Sequence, residues 1–166
     1  IKPFGSAQRN RRMKKNSLIF LGFLGLNFLA LAIGVFLMNS GPTSSWYLDL
    51  KKAPWTPPGW VFGVVWSSIM LCFSVYMTKL VGQKYSKNVF SLFAIQWVLN
   101  IFWNYLFFNQ HFVRIAFIEL LLLTFVIAYF LVEFSKSLRY HSFFVIPYFL
   151  WLLIASSLNG YILLNN

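Results

Sequence analysis

Residues 17–38 read SLIFLGFLGLNFLALAIGVFLM, an uncharged and almost wholly apolar run, and its length settles the architecture. A helix rising ~1.5 Å per residue crosses the ~30 Å hydrocarbon core of a bilayer with about 20 such residues. Basic residues precede the run, as in a signal peptide, but it is too long for a signal-peptide core and reads as a retained first span. Four more runs follow at 61–78, 89–108, 115–134 and 143–164. The second is short, and the fourth admits Glu119 and Glu133 near its ends. The short alternating segments of a membrane barrel are absent. The fold class expected is all-α integral membrane, a five-transmembrane-helix bundle: one domain over 17–166 behind a basic N-terminal arm, 1–16.

Composition agrees. With 59% hydrophobic and 10% charged residues, the chain has too little polar surface to coat a water-soluble globule. Its net charge of +11 would suit a nucleic-acid binder, but the distribution does not. Lys2, Arg9, Arg11, Arg12, Lys14 and Lys15 fall in the arm and the other cations flank apolar runs, where they meet lipid headgroups. Eleven Lys and Arg lie on one side of the five spans, against Lys51, Lys52 and Arg114 on the other, so the N-terminus is expected in the cytoplasm. The chain begins with Ile1, so either residues precede it or a native start lies at Met13; without the first twelve residues the tally is still seven to three. Cys72 stands alone in an apolar run and reads as a buried small hydrophobe.

Three connections are short and should make sequential helices antiparallel neighbours. The fourth, 39–60, carries Gly41, Pro42, Pro54, Pro57, Pro58 and Gly59, so it cannot be one helix. It also carries Trp46, Tyr47, Leu50 and Trp55, too aromatic for a solvated linker. It either folds back as a lid or anchors its aromatics at headgroup level. No internal repeat is evident, and an odd number of spans argues against a duplicated half.

Three spans offer mixed faces. Phe62, Trp66, Ile69, Phe73 and Tyr76 recur at spacings of four and three on the second. Gln96, Asn100 and Asn104 form an i, i+4, i+8 row on the third, beside Trp103 and Phe107, and amides are costly against lipid. Tyr148, Trp151, Ala155 and Asn159 share a sector of the fifth. Such a lining suits a flat, largely apolar ligand oriented by a few hydrogen bonds; amide pairing between tightly packed helices explains the same pattern. Glu119 is either functional or hydrogen-bonded to a neighbouring helix end. His111 and His141 belong to no metal-ligand cluster, so no metal site is expected, and there is no Walker loop, GxGxxG or Ser elbow. A haem would find no histidine ligand in the bundle; a metal-free tetrapyrrole needs none.

Trp46-Tyr47, the run from Leu50 through Lys51-Lys52-Ala53-Pro54-Trp55-Thr56-Pro57-Pro58-Gly59 to Trp60, then Phe62-Gly63 and Trp66 resemble the signature of the TspO/MBR family, the tryptophan-rich sensory or translocator proteins. Trp103-Asn104, Phe107-Phe108, Ala116 and Glu119, Pro147 through Trp151, Ala155, Leu158-Asn159 and Leu164-Asn165 resemble its later blocks in order, over roughly 17–166. The resemblance implies a homodimeric five-helix bundle, in a bacterial cell membrane, that binds protoporphyrin IX or a related tetrapyrrole and other small lipophilic ligands beneath the first loop. No cofactor is required. It places Tyr47, Phe62, Trp66, Trp103, Phe107, Tyr148 and Trp151 in the pocket, with Asn100, Asn104 and Ala155 beside them. Two departures limit it. Lys52-Ala53-Pro54-Trp55 moves a proline by one place, and no Lys or Arg follows Tyr161, so the sterol motif of animal members is missing and sterol transport is not expected.

Three functions follow. A sensor or carrier would stack the macrocycle on Trp66 and Trp151 and pair its propionates with Lys51 and Lys52. An enzyme degrading porphyrin in light and oxygen would use Trp66 and Trp151 as electron donors, without a conventional acid–base site. A structural protein would spend its aromatics and its Ala30-x-x-x-Gly34 and Gly59-x-x-x-Gly63 pairs on assembly.

Overall fold

Each apolar run folds into one long helix, because a backbone in hydrocarbon must satisfy its own N–H and C=O groups. The computed structural model describes residues 4–166, and its spans are α1 (Phe4–Leu37), α3 (Gly59–Gln83), α4 (Lys87–Asn104), α5 (Val113–Glu133) and α7 (Ile146–Asn165). There is no strand among the described residues. The long loop holds a 3-10 turn, Gly41–Thr43, and the short helix α2 (Ser45–Asp49). A π-helical turn, Tyr105–Asn109, continues α4, while α6 (Ser135–Leu138) and a 3-10 turn, Arg139–Phe144, link α5 to α7.

The spans sit where the apolar runs put them, with three shifts at the ends. α1 starts at Phe4 rather than at residue 17, so the arm from there on forms the first turns of that helix; Lys2 lies outside the described residues. Lys and Arg favour helix, and no proline interrupts them. α3 overruns its predicted end at 78 because the exposed Lys79 can carry its ammonium to the interface on a long stem. α7 starts at Ile146 instead of 143, with Pro147 in its first turn, where the missing N–H is not needed.

The outside of the bundle is apolar. Phe36, Phe125 and Val132 are 84%, 70% and 74% exposed, an apolar surface of the kind that faces lipid. Exposed aromatics mark both ends of it, Trp55 and Trp60 at one and Tyr85 and Tyr140 at the other. From Trp60 to the end of α3 at Gln83, just before Tyr85, is about 35 Å at ~1.5 Å per residue, enough to cross the hydrocarbon core and reach both interfaces. The protein is a multi-pass membrane protein.

Around the bundle α1 packs against α3 and α4, α4 against α5, α5 against α7, and α7 closes the ring on α3. Sequential helices are thus neighbours except for α3 and α4, which α1 separates. Two hydrogen bonds hold it there: Asn27 Nδ2 donates to Ser74 Oγ on α3 (2.9 Å), and Trp97 Nε1 on α4 donates to the Leu26 carbonyl (2.7 Å). Away from the long loop the interior is solid. Phe73 stacks on Tyr76 (5.9 Å) and Phe93 (6.2 Å) and meets Phe130 and Tyr148 edge-on, while the Tyr76 hydroxyl donates to the Phe130 carbonyl (2.8 Å).

Candidate ligand-binding site

The loop end of the bundle is hollow. A cavity of about 320 Å³ opens between the N-terminal turns of α3, the C-terminal turns of α4 and the second half of α7, roofed by residues 38–57. Most of its wall is aromatic. Trp103 stacks on Phe107 at 5.1 Å and 10°, with Phe108 edge-on to both. The π-helical turn that places Phe107 and Phe108 widens the end of α4; such turns are frequent at functional sites. Phe62 and Trp66, one turn apart on α3, form the opposite wall.

Polar groups are few and held. Asn159, in the amide orientation that satisfies both partners, accepts from Trp103 Nε1 (3.2 Å) and donates to the Val113 carbonyl (3.2 Å), tying α7 to α4 and α5. Asn104 lies against Gly34, where a Cβ would stand 2.6 Å from its Nδ2. Ala30-x-x-x-Gly34 therefore serves close packing inside the bundle, and open space lies beside Gly59 and Gly63.

Of the residues singled out in the sequence, Tyr47, Phe62, Trp66, Trp103, Asn104, Phe107 and Ala155 line this cavity. Asn100, Tyr148 and Trp151 stand behind it. Tyr148 is fully buried, its hydroxyl accepting from Asn100 Nδ2 (2.8 Å) and donating to Gln96 Oε1 (3.2 Å), and its ring supports Trp66 edge-on at 5.8 Å. Trp151 backs Phe62 edge-on at 5.4 Å, its Nε1 without a partner. Met38, Pro42 and Ile162 also line the cavity; Ile162 continues the i, i+3, i+7 face of Ala155 and Leu158, a spacing that points to it. Nothing in the pattern points to Met38 or Pro42. Glu119 is buried on α5 with no partner for either carboxyl oxygen, so of its two readings the bond to a neighbouring helix end is not made.

The long loop closes the cavity. Ser44 caps α2 by accepting from the Tyr47 N–H (3.3 Å). Trp46 stacks on His111 at 4.0 Å and meets Phe107 edge-on, and Tyr47 leans on Phe107 and Phe108. Burial raises the Tyr47 phenol above its ordinary pKa and keeps it neutral. Lys52 Nζ donates to the Leu48 and Leu50 carbonyls and lies 4.9 Å over the Tyr47 ring, while Lys51 stays exposed. Pro54 sits second in a turn closed by the Thr56 N–H to the Ala53 carbonyl (2.9 Å), a position that suits proline. Trp55 Nε1 donates to Ser157 Oγ (3.1 Å), and the Lys51 N–H and carbonyl pair with the Asn166 side chain (2.9 and 3.2 Å), so α7 holds the far end of the loop.

Known proteins resemble this sequence. The chain is 31% identical to a tryptophan-rich protein TspO of Chlorobaculum tepidum over 83% of its own length and 95% of the relative's. It is 28% identical to a tryptophan-rich protein TspO of Bacillus cereus (89% and 94% covered) and 28% identical to the translocator protein of Ovis aries (83% and 79%). The model of the TspO/MBR family matches residues 23–164, from within α1 to the last turn of α7, and the chain belongs to that family.

Proposed function

We propose that this protein is a membrane receptor or carrier that takes a tetrapyrrole such as protoporphyrin IX, or another flat lipophilic ligand, into the cavity under the long loop. The observation that carries the reading is the cavity itself: two aromatic walls, Trp103–Phe107 on one side and Phe62–Trp66 on the other, with held amides between them. Stacking supplies affinity and the amides supply orientation. At about 320 Å³ the cavity lies near the low end of the roughly 300–1,000 Å³ of small-molecule sites, so a macrocycle requires the loop to lift. Of the two loop lysines, Lys52 lines the cavity but caps carbonyls, while Lys51 is exposed outside the lining and would meet a propionate once the loop lifts. Relatives carry the names sensory protein and translocator protein, which favours sensing or transport.

The charge tally favours a cytoplasmic N-terminus with the cavity toward the outer face, and the bacterial relatives favour a bacterial cell membrane. A homodimer fits the reading and would use the apolar flank of the bundle.

The test is a titration of protoporphyrin IX into the detergent-solubilised protein, read by tryptophan fluorescence. Saturable quenching is expected, with affinity falling about tenfold or more in Trp66→Ala as a stacking wall is lost. Quenching unchanged in a Trp66→Phe, Trp103→Phe double variant would remove the proposal.

A further inference from the structure

At the end of the bundle opposite the cavity, a groove of about 540 Å³ runs between α1, the last turns of α3 and the first turn of α4. Its α1 side is a single helical face, from Arg12 and Lys15 through Asn16 and Ile19 to Phe23 and Leu26. That face is graded. The cations and the amide lie at the end nearest the interface, and the α1 residues that line the groove from Ile19 inward, Gly22, Phe23 and Leu26 with it, are apolar or glycine. Ile19 to Leu26 spans about 10 Å at ~1.5 Å per residue, so the apolar part stays within one leaflet. Across the groove Tyr85 brings a hydroxyl to the polar end, and Phe90, edge-on to Tyr85 at 5.2 Å, walls the apolar part.

The floor is open by composition. A Cβ built on Gly22 or on Gly82, both of which line the groove, meets nothing within 4 Å. The charge is unopposed as well. Of the chain's three acids, Asp49 lies in the loop over the cavity, Glu119 lies in the half of α5 nearer that loop, and Glu133 is 3.8 Å from Lys84 Nζ. Two cations above an apolar slot of this depth complement a molecule with an anionic head and a hydrocarbon tail.

We propose that this groove binds one anionic phospholipid, its phosphate between Arg12, Lys15 and Tyr85 and an acyl chain along Ile19, Phe23 and Leu26. The site is independent of the cavity at the other end and of whatever that cavity holds.

Native mass spectrometry of the full chain in an equimolar mixture of phosphatidylglycerol and phosphatidylcholine tests it, in a symmetric environment that makes membrane orientation irrelevant. One phosphatidylglycerol should be retained in preference to phosphatidylcholine. Arg12→Gln with Lys15→Gln should cut that preference by roughly 25-fold, at about fivefold per cation. Gly22→Leu, which keeps every charge and fills open space, should lower the amount of either lipid retained. Lys136→Gln with Arg139→Gln, which removes two exposed cations from the same end but outside the groove, should leave the preference unchanged. Equal losses from the two double variants would reduce the effect to general surface charge and overturn the site, as would wild-type lipid retention in Gly22→Leu.

Discussion

At Gly34 the atom that an added methyl would meet is the end of a side chain, Asn104 Nδ2, rather than backbone. Gly34→Ala should therefore leave α1 and α4 in place and turn Asn104 out of its seat, since its bond to the Asn100 carbonyl is already long at 3.5 Å. The expected outcome is a melting temperature in detergent close to wild type with porphyrin affinity reduced severalfold. Tyr148 predicts the reverse. Tyr148→Phe leaves Gln96 and Asn100 with unmet bonds in the interior and should cost about 1–2 kcal/mol by thermal unfolding. Because Tyr148 stands behind the cavity, affinity should change less than in Trp66→Ala. Glu119→Gln keeps the shape of a buried carboxyl with no partner on either oxygen, and no bond is there to lose. It should unfold at the wild-type temperature or above; a fall of several degrees would reveal a partner.

The loop between α1 and α3 is clamped at both ends by different elements. Trp46 and Tyr47 rest on the aromatic end of α4, whereas residues 51–55 hang on α7 through Ser157 and Asn166. A Ser157→Ala, Asn166→Ala variant should free the second clamp alone. Amide hydrogen exchange should then speed up at Lys51 and its neighbours while the amides around Tyr47 keep their protection; equal loosening at both would show that the loop opens as one piece. These clamps were out of reach of pattern reading. The aromatics and prolines of 39–60 distinguish a folded loop from a linker, but a lone Ser157 on an exposed helix face carries no period that announces a partner over a hundred residues away.

For the protein in its membrane, the charge asymmetry predicts which face each connection meets. In a Cys72→Ser background, Lys51→Cys should react with a membrane-impermeant maleimide in intact cells and Lys87→Cys only after permeabilisation; the opposite pattern would invert the bundle. The number and type of elements were readable because hydrocarbon leaves a chain few options, and a run of apolar residues translates directly into a span. The order around the ring was not. Short links suggest that α3 and α4 pack side by side, yet α1 stands between their backbones through Asn27 and Trp97, contacts that no local signal specifies, and the two helices meet through interior rings such as Phe73 and Phe93. The cavity was half readable for the same reason. Helical period gives the direction in which Asn100, Asn104, Trp66, Tyr148 and Trp151 point, but the depth at which the bundle closes separates the wall from what stands behind it.

The π-helical turn at Tyr105–Asn109 has a consequence for counting. It spends one residue more than an α-helical turn would over the same rise, so it behaves as an insertion absorbed without a loop. Removing one residue there would restore a regular helix and leave the phase of everything beyond it unchanged, so only the rings inside the turn would be re-aimed, by up to the about 100° through which one residue turns an α-helix. Phe107 and Phe108 would swing off the cavity while Trp103, upstream of the change, stayed where it is. A one-residue gap placed in this segment when chains are aligned is thus a statement about which rings face inward, and its placement foretells whether a relative keeps the same wall.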